Sequence, residues 1–175
     1  MSTAVDGIRP TLISVAGKEA RSRPGTGLDD VVPLFAALQG ACKSIASLVR
    51  RSGIEGATGK VWGGGKNAGG DSQTKIDVVS NDILKSYLEE SGVVQVLASE
   101  EEDEPVKLND NSKYVVVFDP LDGSSNIDAS IPTGTIFGIY LADPTKNAVE
   151  NALQSGKKLV AGGYCLYSSS TVWLG

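Results

Sequence analysis

Histidine is absent from all 175 residues, which removes Ser-His triads, HExxH zinc sites and imidazole general bases together. Cysteine is nearly absent: Cys42 and Cys165 are far apart in sequence and form no CxxC pair, so zinc ribbons and thioredoxin-type motifs are excluded. Two isolated thiols read as small buried groups of a protein kept in a reducing compartment. Basic charge is in deficit, with 16 Lys and Arg against 21 Asp and Glu and a net charge of −5, the wrong balance for tracking nucleic-acid phosphates. No run approaches the about 18 apolar residues of a membrane span. Neither nucleic acid nor a bilayer is an expected partner. The remaining composition, 41% hydrophobic and 21% charged, is ordinary for one soluble globular domain.

Residues 1–27 place Arg9, Lys18, Arg21 and Arg23 among Ser, Thr, Pro and Gly. They are expected to form a flexible arm, without the apolar core of a secretory signal and with a weak likeness to an organelle transit segment. From residue 28 the pattern changes. Val31, Leu34, Phe35, Leu38, Cys42, Ile45, Ala46 and Val49 recur at helical spacing up to Gly53, with Asp29 and Asp30 before them and Arg50 and Arg51 after. Residues 53–71 are too rich in glycine to form an element and are expected to be a mobile loop; their Gly65-Lys66-Asn67 does not complete a Walker pattern. A second helix carries Ile76, Val79, Ile83, Leu84, Tyr87 and Leu88 and stops at Gly92. Short apolar runs at 93–98, 114–118, 135–141 and 159–166 then read as strands. Two helices followed mostly by strands, without internal repeat, predict a layered α+β fold rather than a doubly wound sheet.

The chemistry-bearing residues gather where two of these strands end. Val93 to Ala98 runs into Ser99-Glu100-Glu101-Glu102-Asp103, and Val115 to Phe118 runs into Asp119-Pro120-Leu121-Asp122-Gly123-Ser124-Ser125. Taken singly, the acidic run is a solvated loop, Asp-Pro and Asp-Gly are turn formers, and Asp77 is a helix cap. If the strands are neighbours, however, Glu100, Asp119 and Asp122 converge, and their mutual repulsion calls for a cation. Oxygen donors without His or Cys select a hard ion, Mg²⁺ or Mn²⁺ before Ca²⁺. A turn fixed by Pro120 would put Asp119 and Asp122 on one side, with the Leu121 carbonyl as a third donor. Gly123, Ser124 and Ser125 then offer backbone N–H groups and hydroxyls to a phosphate, Ser124 starting a short helical turn. Metal shelf and anion nest side by side suit phosphoryl transfer to water.

Phe118-Asp119-Pro120-Leu121-Asp122-Gly123-Ser124-Ser125-Asn126-Ile127-Asp128, followed by Gly134-Thr135-Ile136-Phe137-Gly138-Ile139-Tyr140, resembles the signature of the fructose-1,6-bisphosphatase family. The resemblance spans about residues 26–172, the N-terminal half of such enzymes, and Tyr164-Cys165-Leu166-Tyr167-Ser168 looks most like the plastid branch. It implies the sugar bisphosphatase fold, with helices packed on a mostly antiparallel mixed sheet over residues 28–175. The implied activity is Mg²⁺-dependent hydrolysis of the 1-phosphate of fructose 1,6-bisphosphate by a homo-oligomer. Residue by residue, the resemblance implies that Glu100, Asp119, Asp122 and the Leu121 carbonyl hold magnesium while Asp122, Gly123, Ser124 and Ser125 contact phosphate. Asp77 and Glu101 match the pair that orients and deprotonates water, and Asp71 matches the carboxylate on a loop closing over the metals.

Departures from the family pattern carry expectations of their own. Residues 173–175 fall within an expected strand, so the family's C-terminal metal carboxylate and its sugar-phosphate-binding residues have no counterpart, and an apolar sheet edge is expected to be exposed. Lys113 and Tyr114, with Thr26 and Gly27, fall near positions that bind inhibitory AMP in relatives, yet Leu141 stands where Arg is expected. Residues 142–158 lack the cysteines of the light-regulated plastid form, so thioredoxin control is not expected, and the compartment is plastid stroma or cytoplasm. Two alternatives stand beside hydrolysis of this substrate: a sister sugar or inositol phosphatase, and a non-catalytic chain that binds metal or pairs with full-length subunits.

Overall fold

The computed structural model describes residues 10–55, 61–66, 72–129, 131–169 and 171–174. Among the described residues four helices, α1 (Leu12–Ser22), α2 (Val31–Glu55), α3 (Lys75–Glu90) and α4 (Ala148–Ala152), accompany eight strands. A small antiparallel pair, β1 (Val61–Lys66) with β2 (Ser72–Thr74), precedes α3. The main sheet holds β3 (Val94–Ser99), β4 (Val106–Lys107), β5 (Tyr114–Asp122), β6 (Thr133–Leu141), β7 (Ala161–Tyr167) and β8 (Thr171–Leu174) in the order β4-β3-β5-β6-β7-β8. Only β3 and β5 run parallel; every other neighbouring pair is antiparallel. This is the expected layered α+β fold with a mostly antiparallel mixed sheet.

Period-two alternation on β5 divides the core. Tyr114, Val116 and Phe118 join Leu34, Leu38 and Ile45 of α2 and Leu84 and Leu88 of α3 in the main cluster. Val115 points the other way, into a smaller cluster with Val96 and Tyr140, covered in part by Ala148 of α4. The Val31–Ser52 stretch of α2 is long and apolar enough to cross a membrane by length and composition, and half of it is buried inside this fold, so its apolarity is accounted for by the core. The face beyond α4 stays open: Ile136 and Tyr164, opposite one another on β6 and β7, are 47% and 42% exposed.

Three expectations are corrected. The arm contains α1, because Leu12, Ala16 and Ala20 repeat every four residues against α2, and the Thr11 hydroxyl caps the helix by accepting the Ser14 N–H at 3.2 Å. The glycine-rich stretch is not loop throughout: α2 continues past Gly53 to Glu55, and Val61–Lys66 is a strand. Glycine tolerates extended backbone, and pairing with β2 supplies the hydrogen bonds that apolar patterning does not announce. Finally, Asp119-Pro120-Leu121-Asp122 is not a turn but the end of β5. Asp119 pairs with Ile136 and Asp122 with Gly134, three steps against two, so the strand bulges where proline withholds an N–H.

Candidate metal and phosphate site

Parallel pairing of β3 with β5 sets Ser99 beside Phe118, so both strands end at the same edge of the sheet. The Glu100 N–H donates to the Phe118 carbonyl at 2.9 Å, extending the ladder one residue and leaving Glu100 and Asp119 on adjacent strand ends. The acidic turn that follows is held from two sides. Ser99 Oγ accepts the Glu101 N–H at 3.2 Å. Glu102 Oε1 accepts from Asn81 Nδ2 at 2.9 Å and from the Lys85 ammonium, both on α3. No motif in the sequence points to Asn81 and Lys85; the signal that marks them is their i,i+4 spacing beside the apolar stripe of α3.

Asp77 sits in the first turn of α3 and is 2% exposed. Its Oδ2 accepts the backbone N–H of Thr74 at 2.7 Å and the Thr74 hydroxyl at 2.8 Å. Its Oδ1 is buried with no hydrogen-bond partner among the described residues, an arrangement that is costly for a carboxylate unless a cation or water completes it. Asp119 Oδ1 accepts the Leu121 N–H at 2.9 Å across Pro120. Burial, and then the charges of Glu100, Asp122 and Asp77, push the Asp119 carboxyl up to about 6 against the pull of that N–H. Three carboxylates thus act on Asp119 here, all with hard oxygen donors. Among the described residues no three acidic side chains close into a metal-holding group, so the shelf is an assembly of neighbours rather than a finished cage.

After Asp122 the chain reverses at Gly123, whose φ of +80° favours glycine. The Gly123 carbonyl accepts the Asn126 N–H at 2.9 Å and starts the 3-10 turn Ser124–Ala129. Ser124 begins a short helical turn, as the sequence predicts, and Ser125 is exposed beside it. Asp71 lies outside the described residues. Lys113 and Tyr114 lie at the opposite end of β5, about 26 Å from Asp122 for a nine-residue strand. The Tyr114 hydroxyl donates to the Gly27 carbonyl at 2.6 Å, and Lys113 pairs with Asp30. Burial pushes the Tyr114 phenol up to about 12. Leu141 packs so closely on Gly27 that a Cβ there would stand 2.9 Å from it. These two residues therefore tie the segment before α2 to the sheet.

Residues 14–174 match the family described as Fructose-1-6-bisphosphatase, N-terminal domain. The chloroplastic fructose-1,6-bisphosphatase of Brassica napus is 46% identical over 151 residues, covering 77% of this chain and 36% of that protein. That of Oryza sativa subsp. indica is 43% identical over 171 residues, covering 88% of this chain and 42% of that protein. The crystal structure of Leishmania major fructose-1,6-bisphosphatase in holo form is similar with a TM-score of 0.80 and 38% identity, over 94% of this chain and 51% of that one. The same enzyme in apo form gives a TM-score of 0.70. The chain thus spans between about a third and a half of its relatives' length. It belongs to the fructose-1,6-bisphosphatase family, over the part that family calls its N-terminal domain.

Proposed function

We propose that the chain supplies the metal and phosphate half of a Mg²⁺-dependent phosphatase that hydrolyses the 1-phosphate of fructose 1,6-bisphosphate, yielding fructose 6-phosphate and phosphate. The observation that carries this reading is the meeting of Glu100 and Asp119 on parallel strand ends, with Asp122 and Gly123 to Ser125 immediately beyond. Glu100, Asp119, Asp122 and the Leu121 carbonyl hold the cation, Mg²⁺ or Mn²⁺, whose donors here are all oxygen. When bound, the ion neutralises phosphoryl charge and lowers the pKa of water. Asp122, Gly123, Ser124 and Ser125 bind and orient the phosphate. Asp77, with a buried oxygen that has no partner among the described residues, and Glu101 orient the attacking water and take its proton, and Asp71 is the further carboxylate that the family resemblance assigns to the site. The proposal extends to self-association, which would cover the exposed Ile136 and Tyr164, and to a plastid stroma or cytoplasmic setting, the relatives named above being chloroplastic.

Phosphate release from fructose 1,6-bisphosphate by the purified chain, with and without Mg²⁺ and alongside its solution mass, tests this. Mg²⁺-dependent release supports it. No release with Mg²⁺ bound would instead favour a non-catalytic chain that binds metal or joins full-length subunits.

A pH dependence follows from Asp119. Its carboxyl, raised to about 6 in the fold, loses its proton at lower pH when unfolded, so the native state binds the extra proton between about pH 4 and 6. Stability of the metal-free chain is therefore expected to fall as pH rises through that window. Mg²⁺ affinity is expected to climb over the same window and to level off above it. Urea unfolding at pH 4.5 and 7, with EDTA and with Mg²⁺, checks both: excess Mg²⁺ should offset the decline at pH 7 and do little at pH 4.5.

A further inference from the structure

Pro120 and Leu121, the two residues inside the β5 bulge, face Thr135 alone on β6. Thr135 is 0% exposed, and its hydroxyl donates to the Pro120 carbonyl at 2.8 Å. That bond uses the only hydroxyl hydrogen Thr135 has, so the 2.7 Å contact between Thr135 Oγ1 and the Tyr167 hydroxyl must be donated by Tyr167. Tyr167, 4% exposed on β7, has the Cys42 thiol of α2 and Cys165 against its oxygen. Burial drives its phenol far above the ordinary range, so it remains a donor at every working pH. The hydrogen bonds run in one direction, from Tyr167 through Thr135 to the Pro120 carbonyl.

The Pro120 carbonyl and the Leu121 N–H are opposite ends of one planar peptide group. Thr135 grips the carbonyl end from the core, while the N–H end donates to Asp119 Oδ1 at 2.9 Å. Turning this plane would break both bonds, so the Asp119 carboxylate is held through the peptide by side chains that never reach the site. A hydrogen bond on the carbonyl also polarises the N–H into a better donor.

We infer that Thr135 and Tyr167 are positioning residues that fix the Asp119 to Asp122 bulge in its cation-binding shape by clamping the Pro120–Leu121 peptide plane. The inference rests on the metal reading above only for its functional consequence, and its test separates the two. Parent chain, Thr135→Val, Thr135→Ser and Tyr167→Phe are compared by Mn²⁺ titration, using water-proton relaxation, and by NMR hydrogen exchange of the Leu121 N–H relative to that of Val116 in the core. Thr135→Val is expected to weaken Mn²⁺ binding by about tenfold, as loss of an outer hydrogen-bond partner does, and to speed Leu121 exchange relative to Val116. Thr135→Ser should restore both. Tyr167→Phe, which leaves the Thr135 hydroxyl on Pro120, should produce a smaller change in the same direction, and it carries the test if Thr135→Val does not fold. Equal acceleration of Leu121 and Val116, or unchanged exchange with parental Mn²⁺ affinity, overturns the clamp. A parent that binds no Mn²⁺ while Leu121 exchange still responds to Thr135→Val upholds the clamp and removes the metal reading.

Discussion

Asp119→Asn is expected to abolish Mg²⁺-dependent phosphate release, to lower Mg²⁺ affinity by at least about 100-fold, and to make the metal-free chain more stable at pH 7. Opposite effects on function and stability follow from one cause. Burial and three neighbouring carboxylates make the charged form of Asp119 unfavourable in the fold, so a neutral isostere relieves the native state while depriving a cation of its central anion. Asn keeps an oxygen to accept the Leu121 N–H that now reaches Asp119 Oδ1, which leaves the bulge intact. The loss of affinity is set at or above the upper end of what removing an outer-shell partner costs, since the proposed function makes Asp119 a ligand itself. The gain in stability should shrink toward pH 3, where Asp119 is protonated in the folded and unfolded chain alike. Isothermal titration with Mg²⁺, phosphate release and urea midpoints measure the three quantities. Retained Mg²⁺-dependent release in any active form of the protein would remove Asp119 from the site.

Asp77→Asn is expected to reduce turnover by about 10² to 10⁴-fold, the range for loss of a positioned general base, while Mg²⁺ affinity stays within a few-fold and the fold is kept. Asp77 does two things with two oxygens. Oδ2 secures the start of α3 by accepting from the Thr74 backbone and hydroxyl; Oδ1 has no partner among the described residues. Asn can present its single carbonyl oxygen to Thr74 and so preserve the helix start, but it has no basic oxygen left for water. Asp77→Ala should show the same loss of turnover and also destabilise the chain by about 1.5–3 kcal/mol per forfeited hydrogen bond to the carboxylate. Parental turnover in Asp77→Asn would reduce the residue to a helix cap. A collapse of metal affinity would move it among the ligands instead.

The sequence announced these elements unevenly, for physical reasons. Large apolar residues at helical spacing mark α2 and α3, and a continuous apolar run marks β5, because these elements are buried through Leu, Ile, Val and Phe. Helix α1 uses alanine at two of its contact positions, too small to stand out among Ser, Lys and Arg. Val61–Lys66 is a strand through backbone pairing, which glycine permits without leaving a side-chain pattern. At the site, Glu100, Asp119 and Asp122 could be placed at strand ends, since an acidic residue after an apolar run is a local signal. That β3 and β5 lie side by side and parallel is a long-range fact, and so are the grip of Asn81 and Lys85 on Glu102 and the bond from Thr135 to Pro120. Proline favours a turn and a bulge alike, so the sequence alone suggests a turn here, and only the pairing with Ile136 and Gly134 distinguishes the two.

The parallel seam between β3 and β5 also bears on how the chain reaches this state. Strands β5 to β8 form successive antiparallel neighbours, a meander that can zip up through close-range contacts. Asp119 and Asp122 lie on a strand of that meander, whereas Glu100 is brought beside them only by the parallel pairing of β3 with β5. Docking therefore closes the sheet against the repulsion of its own carboxylates, so a divalent cation present during refolding would act on the rate of that closure as well as on the depth of the final well.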